Sequence, residues 1–343
     1  MKKLLNTLYV TRPECYLALE QETVCVRKED ETLLRVPLLN LEGIITFGYA
    51  GASPALMGEC VKRGIALSFC SGSGHFLARV EGEAHGNITL RKTQYRVSDD
   101  ETNSCHIARC FLFGKLHNAK WILERAARDY PMRLDTDRLK NASAQISSVM
   151  TQMLNCETLG QLRGLEGSAA MVYFQNFDQL ILHNKAQFSF ETRKKRPSTD
   201  PVNAMLSLAY TLLAHDCQAA LESVGLDPYA GFLHRDRPGR CSLALDLMEE
   251  LRGVMADRFV LTLINRKEIQ PSDFLQAENG VVHLKDESRK VFLNAWQTRK
   301  KESLTHPFLQ EKMEWGLVPY AQALLLARML RGDLDEYPPF LWK

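Results

Sequence analysis

Asp246 and Glu249 stand three residues apart in Ser242-Leu243-Ala244-Leu245-Asp246-Leu247-Met248-Glu249-Glu250-Leu251. On a helix, positions i and i+3 share a face, with Cβ atoms about 5–6 Å apart. Two like charges there repel by roughly 0.2–0.5 kcal/mol in an isolated helix, and a divalent cation would reverse that sign. Just upstream, Gly231-Phe232-Leu233-His234 delivers an imidazole ahead of the helix. Carboxylate oxygens with one imidazole suit Mn²⁺ or Mg²⁺ better than a closed zinc site. A solvated acidic face that includes Glu250, together with a core histidine, accounts for the same residues without a metal. Ala244, Leu247, Met248 and Leu251 form the packed stripe that would hold the helix in place.

A third acid, Glu166, opens the otherwise apolar run Gly167-Ser168-Ala169-Ala170-Met171-Val172-Tyr173-Phe174, within a helix expected over 166–182. On this segment alone, attraction to the positive end of the helix dipole is the simpler account of Glu166. Gly167, Ser168 and Ala169 are small enough to let another element approach closely. Positive charge is concentrated in Arg193-Lys194-Lys195-Arg196, between Phe188 and Phe190 on one side and a Pro-punctuated loop on the other. Cations beside rings suit a nucleic-acid backbone and an unstacked base; a solvated charge run accounts for them equally. Asp200 and Pro201 then mark the start of a helix. Asn203 and Ser207 share a face of it, as phosphate or ligand contacts or as core polar groups. Arg235, Arg237 and Arg240 add charge in the turn after His234.

Two other groupings resolve into ordinary structure. Ser71-Gly72-Ser73-Gly74 lacks the phosphate-loop lysine and precedes a strand pattern, so it reads as a hairpin turn. Cys105, His106 and Cys110 read as residues of one helix, with the cysteines as small buried hydrophobes rather than metal ligands.

The elements that must position these residues fall into two parts. The chain has 343 residues, 45% hydrophobic and 24% charged, which excludes wholesale disorder and predicts about two domains. Its 43 basic and 41 acidic residues leave a net charge of +2, too balanced to coat nucleic acid by bulk charge but compatible with a local basic groove. Nine cysteines, odd in number and without a C-x-x-C pair, fit a reducing cytoplasm. Asn6 and Thr7 interrupt the opening apolar residues before a signal peptide can form. No apolar run is long enough to span a bilayer, so no membrane partner is expected.

Residues 1–86 read as short β-strands with one helix at 54–62, started by Pro54 and ended by Gly64. Residues 87–103 are polar and weakly patterned, a linker. From Asn103 onward the 3.6-residue period dominates, with helices around 137–155, 166–182, 201–223, 242–256, 286–301 and 318–331. The expected fold class is α+β in two domains. A small β-sandwich-like N-terminal domain leads into a larger all-α catalytic domain over 104–343.

These stretches together resemble the CRISPR-associated integrase family, the universal adaptation nucleases that insert new spacers. The resemblance is carried by Gly164-Leu165-Glu166-Gly167 through Phe174, by Arg193 to Pro197 with Asp200-Pro201-Val202-Asn203-Ala204-Met205-Leu206-Ser207 and Tyr210, by Gly231 to His234, and by Ser242 to Glu249. The chain end, from Gln322 to Gly332 and then Tyr337-Pro338-Pro339-Phe340, is also similar. The resemblance implies a metal-dependent DNA endonuclease and transesterase that inserts short DNA fragments into the CRISPR array in antiviral defence. It implies Mg²⁺ or Mn²⁺ on Glu166, His234 and Glu249, with Asp246 as a second catalytic acid; many relatives carry aspartate where this chain has Glu249. The 3′-hydroxyl of a prespacer duplex would attack a phosphodiester at the CRISPR repeat edge, and water in its place would make the site an endonuclease. Arg193, Lys194, Lys195, Arg196 and Asn203 would lie along the DNA, and Arg235, Arg237 and Arg240 join them on charge and sequence proximity. The resemblance further implies a homodimer built through the β domain and a small ferredoxin-like adaptation partner that bridges two dimers. A phosphoesterase acting on small substrates and a non-catalytic DNA-binding scaffold are the competing readings.

Overall fold

A computed structural model describes residues 6–29, 31–48, 51–72, 76–82, 88–194 and 197–343. It divides into two units, the first formed by residues 1–85 and 286–302 and the second by 86–285 and 303–343.

The first unit is built from β1 (Thr7–Val10), β2 (Tyr16–Glu20), β3 (Thr23–Lys28), β4 (Glu31–Pro37), β5 (Gly43–Phe47), β6 (Gly51–Ala52), α1 (Pro54–Arg63), β7 (Ala66–Cys70) and β8 (Phe76–Arg79). Two four-stranded sheets result, ordered β1-β5-β7-β8 and β4-β3-β2-β6. Both are mixed. β5 pairs in parallel with β1 and β7, β2 pairs in parallel with β6, and the remaining neighbours are antiparallel. Leu17, Val24, Ile44, Leu56 and Leu67 meet in one apolar core fed by both sheets and by α1. The α1 ends are set locally. Ser53 Oγ accepts from the Leu56 amide at 3.3 Å, Pro54 takes the first turn, and Gly64 closes the helix at φ +68°. β7 and β8 pair as an antiparallel hairpin, and the last two residues of the expected turn, Ser73 and Gly74, lie outside the described residues.

The second unit contains α2 (Ile88–Asp99), α3 (Glu101–Asp129), α4 (Thr136–Met153), α5 (Leu159–Phe177), α6 (Pro201–Ser223), α7 (Ser242–Leu251) and α8 (Arg258–Asn265). Strands β9 (Phe274–Gln276) and β10 (Val282–Leu284) follow. α9 (Asp286–Lys301) belongs to the first unit, where it buries Phe292, Leu293 and Trp296. The chain then completes the second unit with β11 (Ser303–Thr305), β12 (Lys312–Glu314) and α10 (Val318–Leu330).

Three expectations change here. The stretch read as a weakly patterned linker, 87–103, carries helix: residues 88–99 are helical and α3 begins at Glu101, capped by Asp100 accepting from the Asn103 amide at 2.9 Å. The helical part is not all-α, because β9–β10 and β11–β12 form two small antiparallel hairpins. Strands of three residues are too short for a period to register. Finally, α5 begins seven residues before Glu166, at a capping box in which Thr158 and Gln161 bond reciprocally. Glu166 therefore lies beyond the first turn, where the dipole no longer accounts for it. Among the described residues, no helix is long and apolar enough to cross a membrane.

Candidate metal centre

α3 packs against both α5 and α7, and each of these three helices contributes a charged side chain to one point. From α3, the Lys115 ammonium donates to Glu166 Oε1 of α5 and to Glu249 Oε2 of α7, the latter at 2.6 Å. Glu249 is 6% exposed, and its carboxylate is also gripped by Arg252, whose Nη1 lies 3.1 Å from both oxygens. Burial alone would push the Glu249 carboxyl upward. The Arg252 guanidinium and the Lys115 ammonium outweigh that and hold it well below the usual carboxylate range.

The His234 loop is held by Asp246. This carboxylate is fully buried and accepts the amides of Phe232 (2.6 Å), Leu233 (2.9 Å) and His234 (3.0 Å). It also takes His234 Nδ1 at 2.6 Å. A carboxylate accepts here, so Nδ1 carries a proton, and in the neutral ring Nε2 is the nitrogen with the lone pair. Asp246 thus turns toward the loop while Glu249 turns toward Lys115, although both sit on one helix three residues apart. Gly231 permits this approach, since a Cβ there would fall 2.8 Å from the Ser242 side chain and 2.9 Å from Asp246 Oδ2. Arg163, one turn before Glu166 on α5, donates to the Leu233 carbonyl at 2.8 Å and ties the loop to that helix. Ser242 is the first helical residue of α7, and its hydroxyl donates to the Arg235 carbonyl at 3.2 Å.

Behind Glu249 the chain makes a π-helical turn over Arg252–Asp257, a widened turn that recurs at functional sites. The Arg252 guanidinium stacks 4.4 Å from the Tyr210 ring, and Asp257 accepts from the hydroxyls of Tyr210 and, at 3.1 Å, Tyr173. Arg252 is therefore anchored from below.

The basic segment splits. Arg193 is turned inward, with Nη1 2.7 Å from Asn203 Oδ1, Nη2 3.1 Å from Ser207 Oγ and its guanidinium 5.1 Å from the Tyr210 ring. Asn203 is fully buried and spends its amide on Arg193, the Lys194 amide, the Thr192 carbonyl and Asp200. Both side chains bond within the loop and to α6, Asn203 from a buried position and Arg193 from a half-buried one. Lys194 is exposed, while Lys195 and Arg196 lie outside the described residues. Arg235 and Arg237 are exposed; Arg240 is half-buried and bonds Ser242 Oγ at 3.3 Å and the Arg235 carbonyl. Cys105 and His106 diverge, the thiol toward the Cys156 carbonyl at 3.8 Å and the ring toward Arg109 at 2.6 Å.

Among the described residues, no three His, Cys, Asp or Glu side chains stand in ligating positions around one point. What the two carboxylates do hold is a cation, the Lys115 ammonium. Two carboxylates from separate helices, with His234 on a loop bonded to Asp246 of one helix and to Arg163 of the other, offer oxygen donors and one nitrogen, which suits Mg²⁺ or Mn²⁺. Lys115, Arg252 and Asp257 are the residues that sequence reasoning missed. The available signal was Lys115 itself, a lysine set among buried Phe111, Leu112, Leu116 and Ala119.

Residues 8–298 match the family described as CRISPR associated protein Cas1. A relative from Chlorobaculum tepidum, "CRISPR-associated endonuclease Cas1 1", is 47% identical over 343 residues, covering all of both chains. The fold is shared with a casposase bound to integration product, at a TM-score of 0.85 and 22% identity, covering 98% of this chain and 94% of that one. It is shared also with a Cas6-RT-Cas1–Cas2 complex, at a TM-score of 0.83 and 21% identity, covering 100% of this chain and 36% of that one. With a family match across most of its length and a relative of this identity end to end, the chain belongs to the Cas1 family of CRISPR-associated proteins.

Proposed function

We propose that this chain is a metal-dependent DNA endonuclease and strand transferase that inserts short DNA fragments into a CRISPR array. One observation carries the reading: Glu166 and Glu249, 83 residues apart in sequence, close on a single cation, and Arg163 of the Glu166 helix ties down the loop that ends in His234. Glu166, Glu249 and His234 Nε2 would hold Mg²⁺ or Mn²⁺. Such an ion supplies Lewis-acid polarisation of a phosphate and stabilises developing oxyanion charge. The chain's own residues prepare that seat. Asp246 fixes the tautomer and direction of the imidazole and serves the site as a positioning residue. Arg252 neutralises Glu249 from the protein side and keeps it ionised. Lys194, Arg235 and Arg237, all exposed, would lie along the DNA backbone, with Lys195, Arg196 and Arg240 adding charge to the same two segments.

The substrates of this reading are a prespacer duplex, whose 3′-hydroxyl attacks, and the CRISPR repeat, whose phosphodiester is opened. Displacement of one oxygen by another at phosphorus conserves the number of ester bonds, so no external energy source is needed. The shared fold of a casposase bound to integration product and of a Cas6-RT-Cas1–Cas2 complex supports DNA integration in an assembly with a partner protein; in this reading the chain acts as a homodimer with a small ferredoxin-like partner. Nine free cysteines suit a cytoplasmic setting.

The test is a supercoiled-plasmid integration assay with a repeat array, the purified partner and Mn²⁺. Wild type should yield joined products, and Glu166→Ala should yield none while still retaining prespacer in a gel shift. Equal product from both would end the proposal.

A further inference from the structure

The cation that Glu166 and Glu249 share belongs to the protein. Lys115 reaches them from a third helix, and its stem is packed so that only 11% of the side chain is exposed. Its two partners differ in what else they hold. Glu249 has a second, independent cation in Arg252, which bonds both oxygens and is itself stacked on Tyr210. Removing the ammonium would therefore not leave Glu249 as a bare buried charge, the arrangement that proteins avoid most strongly. Glu166 is 27% exposed at its side chain, so water can take over there. The lysine stem has four rotatable carbons, whereas the Arg252 fork is fixed by its ring contact. Of the two cations on Glu249, Lys115 is the removable one.

We propose that Lys115 is a built-in counter-cation, which holds the two carboxylates together in the metal-free protein and is displaced when a divalent ion binds. This rests on the assignment of Glu166, His234 and Glu249 as ligands. An ammonium proton and a divalent ion cannot use the same carboxylate lone pair, so the two compete. The protein would thereby avoid the repulsion of two converging carboxylates when no metal is present, at the cost of weaker metal binding. The alternative is that Lys115 stays in place and braces the carboxylates for the ion, in which case removing it would loosen the site.

The experiment measures Mn²⁺ binding to the DNA-free full-length protein by electron paramagnetic resonance, alongside thermal melting in EDTA and in excess Mn²⁺. The proteins are wild type, Lys115→Met, Lys115→Gln, and Glu166→Gln as a ligand control. Charge-assisted bonds of this kind correspond to about tenfold or more in an equilibrium constant. Competition therefore predicts Mn²⁺ binding tighter by about tenfold or more in Lys115→Met. It also predicts a lower melting temperature in EDTA and a larger upward shift on adding Mn²⁺ than in wild type. Unchanged or weaker Mn²⁺ binding in both folded Lys115 variants would overturn the inference while leaving the ligand assignment intact. If Lys115→Met fails to fold in EDTA, Lys115→Gln decides the matter on the same criterion. Mn²⁺ binding that Glu166→Gln leaves untouched would instead overturn the ligand assignment itself.

Discussion

Glu249 and Glu250 are neighbours on α7, and both are buried, yet they do opposite things. Successive helical residues point about 100° apart, so one side chain enters the site and the other enters the packing against the chain end. Glu249 meets Lys115 and Arg252 and is held ionised. Among the described residues, Glu250 meets neutral donors: the Tyr337 hydroxyl, Gln322 Nε2 at 3.0 Å and the Phe340 amide at 2.7 Å. Burial dominates there and pushes its carboxyl up to about 7, even though all three donors work against the rise. Asn118 extends the clasp, donating to the carbonyls of Glu250 (2.7 Å) and Phe340 (2.8 Å). Burial of an acid is thus no guide to chemistry here. A converging pair of cations marks the site, and a ring of neutral donors marks a structural clasp on residues 337–340.

The sharpest way to break this comparison is to remove each charge isosterically. Glu249→Gln removes a proposed ligand and leaves Lys115 and Arg252 facing an amide. Strand transfer should fall by about a hundredfold or more, the scale of losing a group that orients or stabilises reacting charge. Glu250→Gln should stay within about threefold of wild type in the same plasmid assay. Equal losses would mean that the two acids are one functional unit and that the division drawn across α7 is wrong.

The pH dependence of stability separates them next. Glu250 binds its proton more tightly in the folded protein than in the unfolded chain. Its stabilisation is fully present below the ordinary glutamate pKa of about 4.3 and is lost as pH rises through about 7. Taken alone this amounts to something on the order of 3 kcal/mol. Glu249 runs the other way: its contribution is present above the ordinary range and is lost as the solution is acidified below it. Urea unfolding followed from pH 5 to 8 should show a falling limb that Glu250→Gln flattens and Glu249→Gln leaves in place. A limb that survives in Glu250→Gln would assign it to another group.

Much of the frame was legible from local signals. The Ser53–Pro54–Gly64 and Asp200–Pro201 punctuation set α1 and the start of α6, because caps act within one turn. α2 escaped because its anchor is polar. Gln94 is fully buried, donating to the carbonyls of Asp227 (2.7 Å) and Ala230 (2.9 Å) and accepting from the Asp227 amide, so no apolar period announces it. Glu166, His234 and Glu249 could be singled out because their types and their resemblance to a family coincide. Lys115 gave only its apolar neighbours on α3 as a signal, and its role rests on partners 51 and 134 residues away that come together only in the fold. Arg193 and Lys194 make the same point. Adjacent in one basic run, they separate only when Asn203 and Tyr210 claim the first.

The smallest expected effect tests whether the clasp can be disturbed without the site. Gly114 precedes Lys115 on α3, where a Cβ would lie 2.9 Å from Glu250 Cβ and 3.2 Å from Pro339 Cβ. Neither atom is the far end of a flexible chain, so Gly114→Ala must push α3 from α7 or displace the 337–340 segment. Overpacking of this kind costs about 1–3 kcal/mol, and alanine's helix preference returns about 1 kcal/mol. A net loss near 1 kcal/mol in urea unfolding should result, with Mn²⁺ affinity kept because the Lys115 contacts lie on the other side of the Glu249–Glu250 divide. Mn²⁺ binding that weakens in step with stability would show that the clasp and the carboxylate seat are mechanically one piece.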